Sequence, residues 1–163
     1  ARNLAERDRY QFQWWALSLI GAKPLGGTEL GGKGKKGSDK GIDGVINYID
    51  SPKQELKRVL VQVKSGHVNS ATIRDLRGVI QREEAEIGVL ITLEAPSRDM
   101  LTEAASAGYY DSPFWEKSYP RLQILTIDAL LAGAEVKMPP ETGTFIAAQK
   151  VKKSEGKQGA FEL

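Results

Sequence analysis

Three residues near the middle of the chain have the types and spacing of a hydrolytic centre: Asp43, Gln62 and Lys64. Asp43 lies in Gly41-Ile42-Asp43-Gly44, and the other two lie in Val61-Gln62-Val63-Lys64-Ser65. Side chains alternate along a strand, so Gln62 and Lys64 share one face while Val61 and Val63 share the other. A lysine at the end of a valine-rich strand is costly to bury unless it is paired or working. A hairpin that brings Asp43 alongside would gather a hard anion, an amide oxygen and an ammonium at one spot. Such oxygen ligands suit Mg²⁺ or Mn²⁺, with Asp43, Gln62 and the Val63 backbone carbonyl as the protein's donors. The metal would polarise a phosphoryl oxygen and activate a water. Lys64 would orient that water or offset charge building in the transition state. The spacing accommodates a plainer arrangement equally well, in which Asp43 starts a turn, Gln62 faces solvent and Lys64 snorkels.

The elements that must position these residues can be read from periodicity. Residues 7 to 21 predict a helix, with Asp8 as cap, Gly21 as stop and Phe12, Trp15, Leu19 and Ile20 facing inward. Trp14 and Trp15 read as packing rather than a base-stacking platform. Residues 26 to 41 are dense in Gly and Lys and predict a mobile loop. Residues 44 to 49 and 59 to 64 predict two strands joined by a turn at Asp50-Ser51-Pro52. Asn69 or Ser70 caps a helix running to about Ala85, with Ile73, Leu76 and Ile80 on its core face. Gly88 to Thr92 predicts a strand covered on both sides. Ser97 caps a further helix. Leu122 to Ile127 is a strand, and Asp128 caps a short helix stopped by Gly133. The order αββαβαβα implies an α/β domain with a mixed sheet over residues 1–135. Residues 136–163 form a polar tail expected to be poorly ordered.

The chain of 163 residues carries a net charge of only +2, too little to imply nucleic acid by itself. Its distribution is more telling, since nine basic residues face five acidic ones between Lys23 and Lys64. A local excess of this kind attracts phosphate, although it also describes a solvated lysine-rich loop. No cysteine is present, which excludes disulfides, thiolate catalysis and cysteine-ligated zinc, and fits a cytoplasmic protein. No apolar run reaches the roughly 20 residues of a membrane span. The first residue is Ala1 rather than Met, which fits a domain excised from a longer chain. The single histidine, His67, reads as a surface residue.

The pattern Gly37-Ser38-Asp39-Lys40-Gly41-Ile42-Asp43-Gly44 with Val59-Leu60-Val61-Gln62-Val63-Lys64 resembles the Mrr-like restriction endonuclease branch of the PD-(D/E)xK nucleases. The similarity continues through Ile73-Arg74-Asp75-Leu76-Arg77-Gly78 and Gly88 to Thr92, and spans roughly residues 8 to 130. It implies a restriction-endonuclease-like αβββαβ core, a mixed central sheet flanked by helices, a divalent cation and hydrolysis of DNA phosphodiester bonds in restriction-modification. Implied partners are DNA, a methyltransferase or restriction subunit in the same chain or complex, and a second copy of the chain.

Two positions depart from the pattern. An acid usually stands two residues before the catalytic lysine, where this chain has Gln62. The first helix usually carries Phe-Glu, where this chain has Phe12-Gln13. Asp43 is then the one certain carboxylate, with Gln13 in a secondary role and Asp39 or Asp50 as possible helpers. A single-carboxylate site binds metal weakly until a DNA phosphate adds a ligand. These departures motivate the rival expectation of a DNA-binding or assembly module with a nuclease fold and weak or lost catalysis. For DNA contact the expected cations are Lys33, Lys35 and Lys36 in the loop and Arg74 and Arg77 on the following helix, although the two arginines could equally pair with acids on that helix.

Overall fold

The computed structural model describes residues 1–25 and 41–140. Asp8 ends one helix and begins another. Its backbone is extended at φ −150°, which separates α1 (Arg2–Arg7) from α2 (Arg9–Ser18), and its carboxylate accepts from the N–H groups of Tyr10 and Gln11. The expected cap is therefore in place. The expected inward face is shifted, since Phe12, Ala16 and Leu17 are the buried residues while Trp15, Leu19 and Ile20 are half-buried around them.

The chain then forms β1 (Lys23–Pro24), β2 (Gly44–Ile49) and β3 (Leu56–Lys64). β2 and β3 make the expected antiparallel hairpin, with Gly44 opposite Val61 and Ile49 opposite Leu56. α3 (Ser70–Arg82) follows, closed at its start by a reciprocal cap in which Asn69 and Thr72 exchange hydrogen bonds. β4 (Ile87–Thr92) returns parallel to β3, and every one of its residues is buried. Each large aliphatic side chain sealed there contributes about 1.5–3 kcal/mol. α4 (Arg98–Ser106) begins at the expected cap, Ser97. A hairpin of β5 (Tyr109–Asp111) and β6 (Ser118–Pro120) forms a separate two-stranded sheet. β7 (Leu122–Thr126) then pairs parallel with β4, and α5 (Ile127–Leu131) closes the fold.

The central sheet runs β1-β2-β3-β4-β7 and is mixed, with helices on both faces. Val59, Val61, Ile87, Val89 and Ile91 point to the layer of α2 and α5, while Leu60 and Leu90 point to that of α3 and α4. The sequence α2-β1-β2-β3-α3-β4 is the expected αβββαβ core. Its third strand, β1, is only two residues long and too short to announce itself by periodicity.

Three expectations need correction. Thr126, not Asp128, caps α5, its hydroxyl accepting from Ala129 N while Asp128 lies in the first turn. The packed domain extends past residue 135, because Val136 and Met138 lie against the core and Gln123 bonds both the N–H and the carbonyl of Lys137. Asp50 is fully buried at the far end of β2 from Asp43, accepting from the Tyr110 hydroxyl, from Ser112 Oγ at 2.5 Å and from Phe114 N at 3.3 Å. It anchors the β5–β6 excursion and takes no part near Asp43. The remainder of the expected tail, 141–163, and the loop over residues 26–40 lie outside the described residues.

Candidate functional site

The end of β3 opens into a cleft of about 370 Å³, lined by Asp43, Gln62, Val63 and Lys64 together with Arg9, Phe12 and Gln13 from α2. Gly41 and the turn Ser65-Gly66-His67 complete its wall. It lies beyond the carboxyl ends of the parallel pair β3 and β4, where open α/β sheets commonly place their ligands. Asp43, Gln62, Lys64 and Gln13, separated by up to 51 positions, therefore meet as expected.

Asp43 reaches the cleft because its own backbone continues the hairpin. Its N–H donates to the Val61 carbonyl at 2.8 Å, and its carbonyl accepts from Leu25 N at 3.0 Å. Next to it, Gly44 leaves no space for a side chain. A Cβ there would stand 2.6 Å from Leu17 Cδ2 and 3.1 Å from the Lys23 carbonyl. The missing Cβ lets α2 close onto β2, and this brings Gln13 to the site.

The Asp43 carboxylate is held from two sides. Oδ2 accepts from Val63 N at 2.7 Å, and Oδ1 accepts from Gln13 Nε2 at 3.0 Å. A carboxylate can only accept, so Gln13 must turn its NH₂ and not its oxygen toward Asp43. The Val63 carbonyl leaves the strand on the same side as its N–H, toward the cleft. Gln62 is 8% exposed, and its Oε1 is buried with no hydrogen-bond partner among the described residues. Lys64 is exposed at the strand end and makes no ion pair among the described residues.

Among the described residues, this donor set falls short of the ligands that a resident Mg²⁺ or Mn²⁺ takes. Among the described residues no group of three His, Asp or Glu side chains could hold a metal. Asp43, the one carboxylate lining the cleft among the described residues, already accepts from two amide donors. The orphaned Gln62 oxygen is sealed away from the surface, so it would have to move to reach a cation. Mg²⁺ is ordinarily held by one or two accessible carboxylates and completes its octahedron with waters and phosphate.

Other expected residues lie elsewhere. Arg74 lies 3.7 Å from Glu103, and Arg77 bonds Ser106 Oγ at 3.3 Å, so both guanidinium groups face α4 and neither lines the cleft. Lys33, Lys35, Lys36 and Asp39 lie outside the described residues. Sequence reasoning missed Arg9. It follows the Asp8 cap on α2 and carries no apolar periodicity, and its proximity to Gln13 at one helical turn is the only signal that could have pointed to it.

The sequence profile of the NACHT-associated inactive Restriction Endonuclease 1 family matches residues 28–132. The chain belongs to this family. Among solved structures, the chain is similar to the MspJI restriction endonuclease in complex with a 27-mer oligonucleotide, at 19% identity and a TM-score of 0.53. That similarity covers 80% of this chain and 28% of the other, so the chain spans little more than a quarter of that enzyme's length. A search of curated proteins gives no significant match. The family match and the structural likeness agree on a restriction-endonuclease-like fold. Among the described residues no helix is long and apolar enough to cross a membrane.

Proposed function

We propose that this chain is a nucleic-acid-binding module that keeps the restriction-endonuclease fold and does not cut. The observation that carries this reading is the Gln13–Asp43 hydrogen bond. Acids placed around Asp43 would repel it until a cation gathered them. Gln13 instead offers Asp43 a donor, so the carboxylate is satisfied without a cation. Gln62 removes a second negative charge from the same cleft. Among the described residues, what remains is one carboxylate against the cations of Arg9 and Lys64, a balance that suits an anionic ligand better than a divalent metal.

The description of the family as inactive supports the absence of cleavage. The DNA-bound state of the structurally similar restriction endonuclease supports DNA as the ligand. The family's association with NACHT supports a partner carrying that module, in the place that the sequence alone gave to a methyltransferase or restriction subunit. A second reading, metal-dependent DNA cleavage, has one observation in its favour: Asp43 and Lys64 do meet in a single cleft. Supercoiled plasmid incubated with the protein and Mg²⁺ or Mn²⁺ separates the two. The expected result is retarded but un-nicked DNA. Nicking that disappears in Asp43→Ala would establish the enzyme instead.

A further inference from the structure

We propose that the outer edge of β7 is an interface at which two copies of this chain join their sheets, β7 pairing antiparallel with β7 of the second copy. The register leaves this edge open. Gly88 N–H donates to the Arg121 carbonyl at 2.7 Å, and Gly88 and Leu90 stand opposite Leu122 and Ile124. In a parallel ladder this commits the N–H and C=O groups of Gln123 and Leu125 to β4 and turns those of Leu122 and Ile124 outward. β7 ends the strand order, and the outward groups of these two residues have no partner among the described residues. Sheet edges are usually blunted by lysine, proline or brevity. The opposite edge, β1, has all three, being Lys23–Pro24 and two residues long. β7 runs for five residues, Leu122-Gln123-Ile124-Leu125-Thr126, without a charge or a proline.

The second copy is the occupant because the edge complements itself. Free N–H and C=O groups in alternation select an extended polypeptide. A two-fold axis through Ile124, perpendicular to the sheet, lets Ile124 exchange both bonds with its counterpart and sets Leu122 opposite Thr126. The side chains fit the same axis. Beside the edge, Leu122 and Ile124 floor a groove of about 240 Å³, walled by Leu101 and Ala105 of α4 and by Tyr109 and Pro120. Among the described residues no charged side chain lines it. Leu101 is 52% exposed there and Tyr109 66%. The two-fold keeps both α4 helices on one face of the joined sheet, so the rim of each copy lies against the groove of the other. Leu101 and Tyr109 then leave water and contribute by the apolar area they bury. Antiparallel pairing also reverses strand direction, so the two Asp43 clefts open toward opposite ends of the joined sheet.

The test is analytical ultracentrifugation of the protein over a concentration series, paired with hydrogen exchange. The parent should pass from monomer to dimer as concentration rises, and the Leu122 and Ile124 amides should be protected in the dimer and exchange fast in the monomer. Ile124→Pro removes an N–H that the single chain leaves unpaired, a position where a strand tolerates proline, and should abolish the dimer. Tyr109→Lys sets a charge at the rim without touching the backbone, and should weaken the dimer by at least about tenfold. Leu56→Thr, which removes an exposed apolar side chain at the start of β3, should leave it unchanged. Thermal melts confirm that each variant is folded, and Tyr109→Lys with the exchange data decides the matter if Ile124→Pro is not. A parent that stays monomeric at every concentration overturns the proposal, and so does a dimer that survives both Ile124→Pro and Tyr109→Lys. Amides that remain protected in the monomer overturn it too, since the edge would then be covered by this chain itself. The outcome is independent of whether the chain binds nucleic acid.

Discussion

Gln13 on α2 donates its side-chain amide to Asp43 at the mouth of the β2–β3 hairpin, Nε2 to Oδ1 at 3.0 Å across 30 positions of sequence. This bond fixes the helix to the sheet at the cleft. It also fills, with a neutral donor, a position from which an acid would push Asp43 away.

Gln13→Glu should therefore set two carboxylates at hydrogen-bond distance. Like charges this close keep a proton between them, which raises the pair's folded pKa above the unfolded value of about 4. The folded state then binds the extra proton, so the variant's stability falls as pH rises from about 4 through the raised value. Its melting temperature should lie below the parent's at neutral pH and approach it in acid. In Gln13→Glu/Gln62→Glu, Mn²⁺ should restore the loss by binding the folded state. Scanning fluorimetry across pH, with and without Mn²⁺, measures both effects, and a double variant indifferent to Mn²⁺ would show that the acids do not converge.

Asp43→Ala removes the acceptor for both Val63 N–H and Gln13. Donors left unmatched in a part-buried site cost about 1–3 kcal/mol. Asp43→Asn retains one acceptor and should lose less. Urea unfolding gives the ranking directly, and equal midpoints for parent and Asp43→Ala would mean the two hydrogen bonds carry no stability.

Gly44→Ala drives a methyl group into Leu17 of α2. Overpacking of this kind costs about 1–3 kcal/mol. Leu17→Ala alone leaves a cavity worth about 2–5 kcal/mol. Combined, the two should cost less than their sum, because the new methyl partly fills the space that Leu17 vacates. A strictly additive double-mutant cycle would contradict the contact.

Asp50→Ala should be more damaging than its distance from the cleft suggests. Tyr110, Ser112 and Phe114 would lose a shared buried acceptor, at a cost of roughly 3 kcal/mol or more. Burial also raises the phenol pKa of Tyr48 and Tyr110 above the ordinary range, with further help for Tyr48 from charge on Tyr110 and for Tyr110 from its bond to Asp50. Groups with a raised folded pKa contribute full stability below the free phenol value of about 10 and lose it as pH rises beyond. Phenolate absorbance from these two tyrosines should thus appear together with alkaline unfolding. Ionisation of both in a still-native protein would refute this.

The sequence by itself determined the sheet's centre and the starts of α2, α3 and α4. β2, β3 and β4 are legible because alternation and β-branched residues act over six to nine consecutive positions. Asp8, Asn69 and Ser97 are legible as caps because a short polar side chain meets a backbone only two or three residues away. The meeting of Asp43, Gln62 and Lys64 follows from a local hairpin and strand alternation, so it too was within reach. Tertiary structure alone decided the rest. β1, β5 and β6 run for two or three residues, too few for an alternation to repeat, and exist only because a neighbouring strand completes them. Arg74 and Arg77 look free on their own helix, yet the packing of α3 against α4 gives them partners there. Arg9 reads as an ordinary solvent-facing residue until α2 settles over Gly44 and places it on the wall of the cleft. Local pattern reports what neighbours in sequence do to one another; which charges meet across 30 or more positions depends on how layers pack, and a one-dimensional pattern does not contain that.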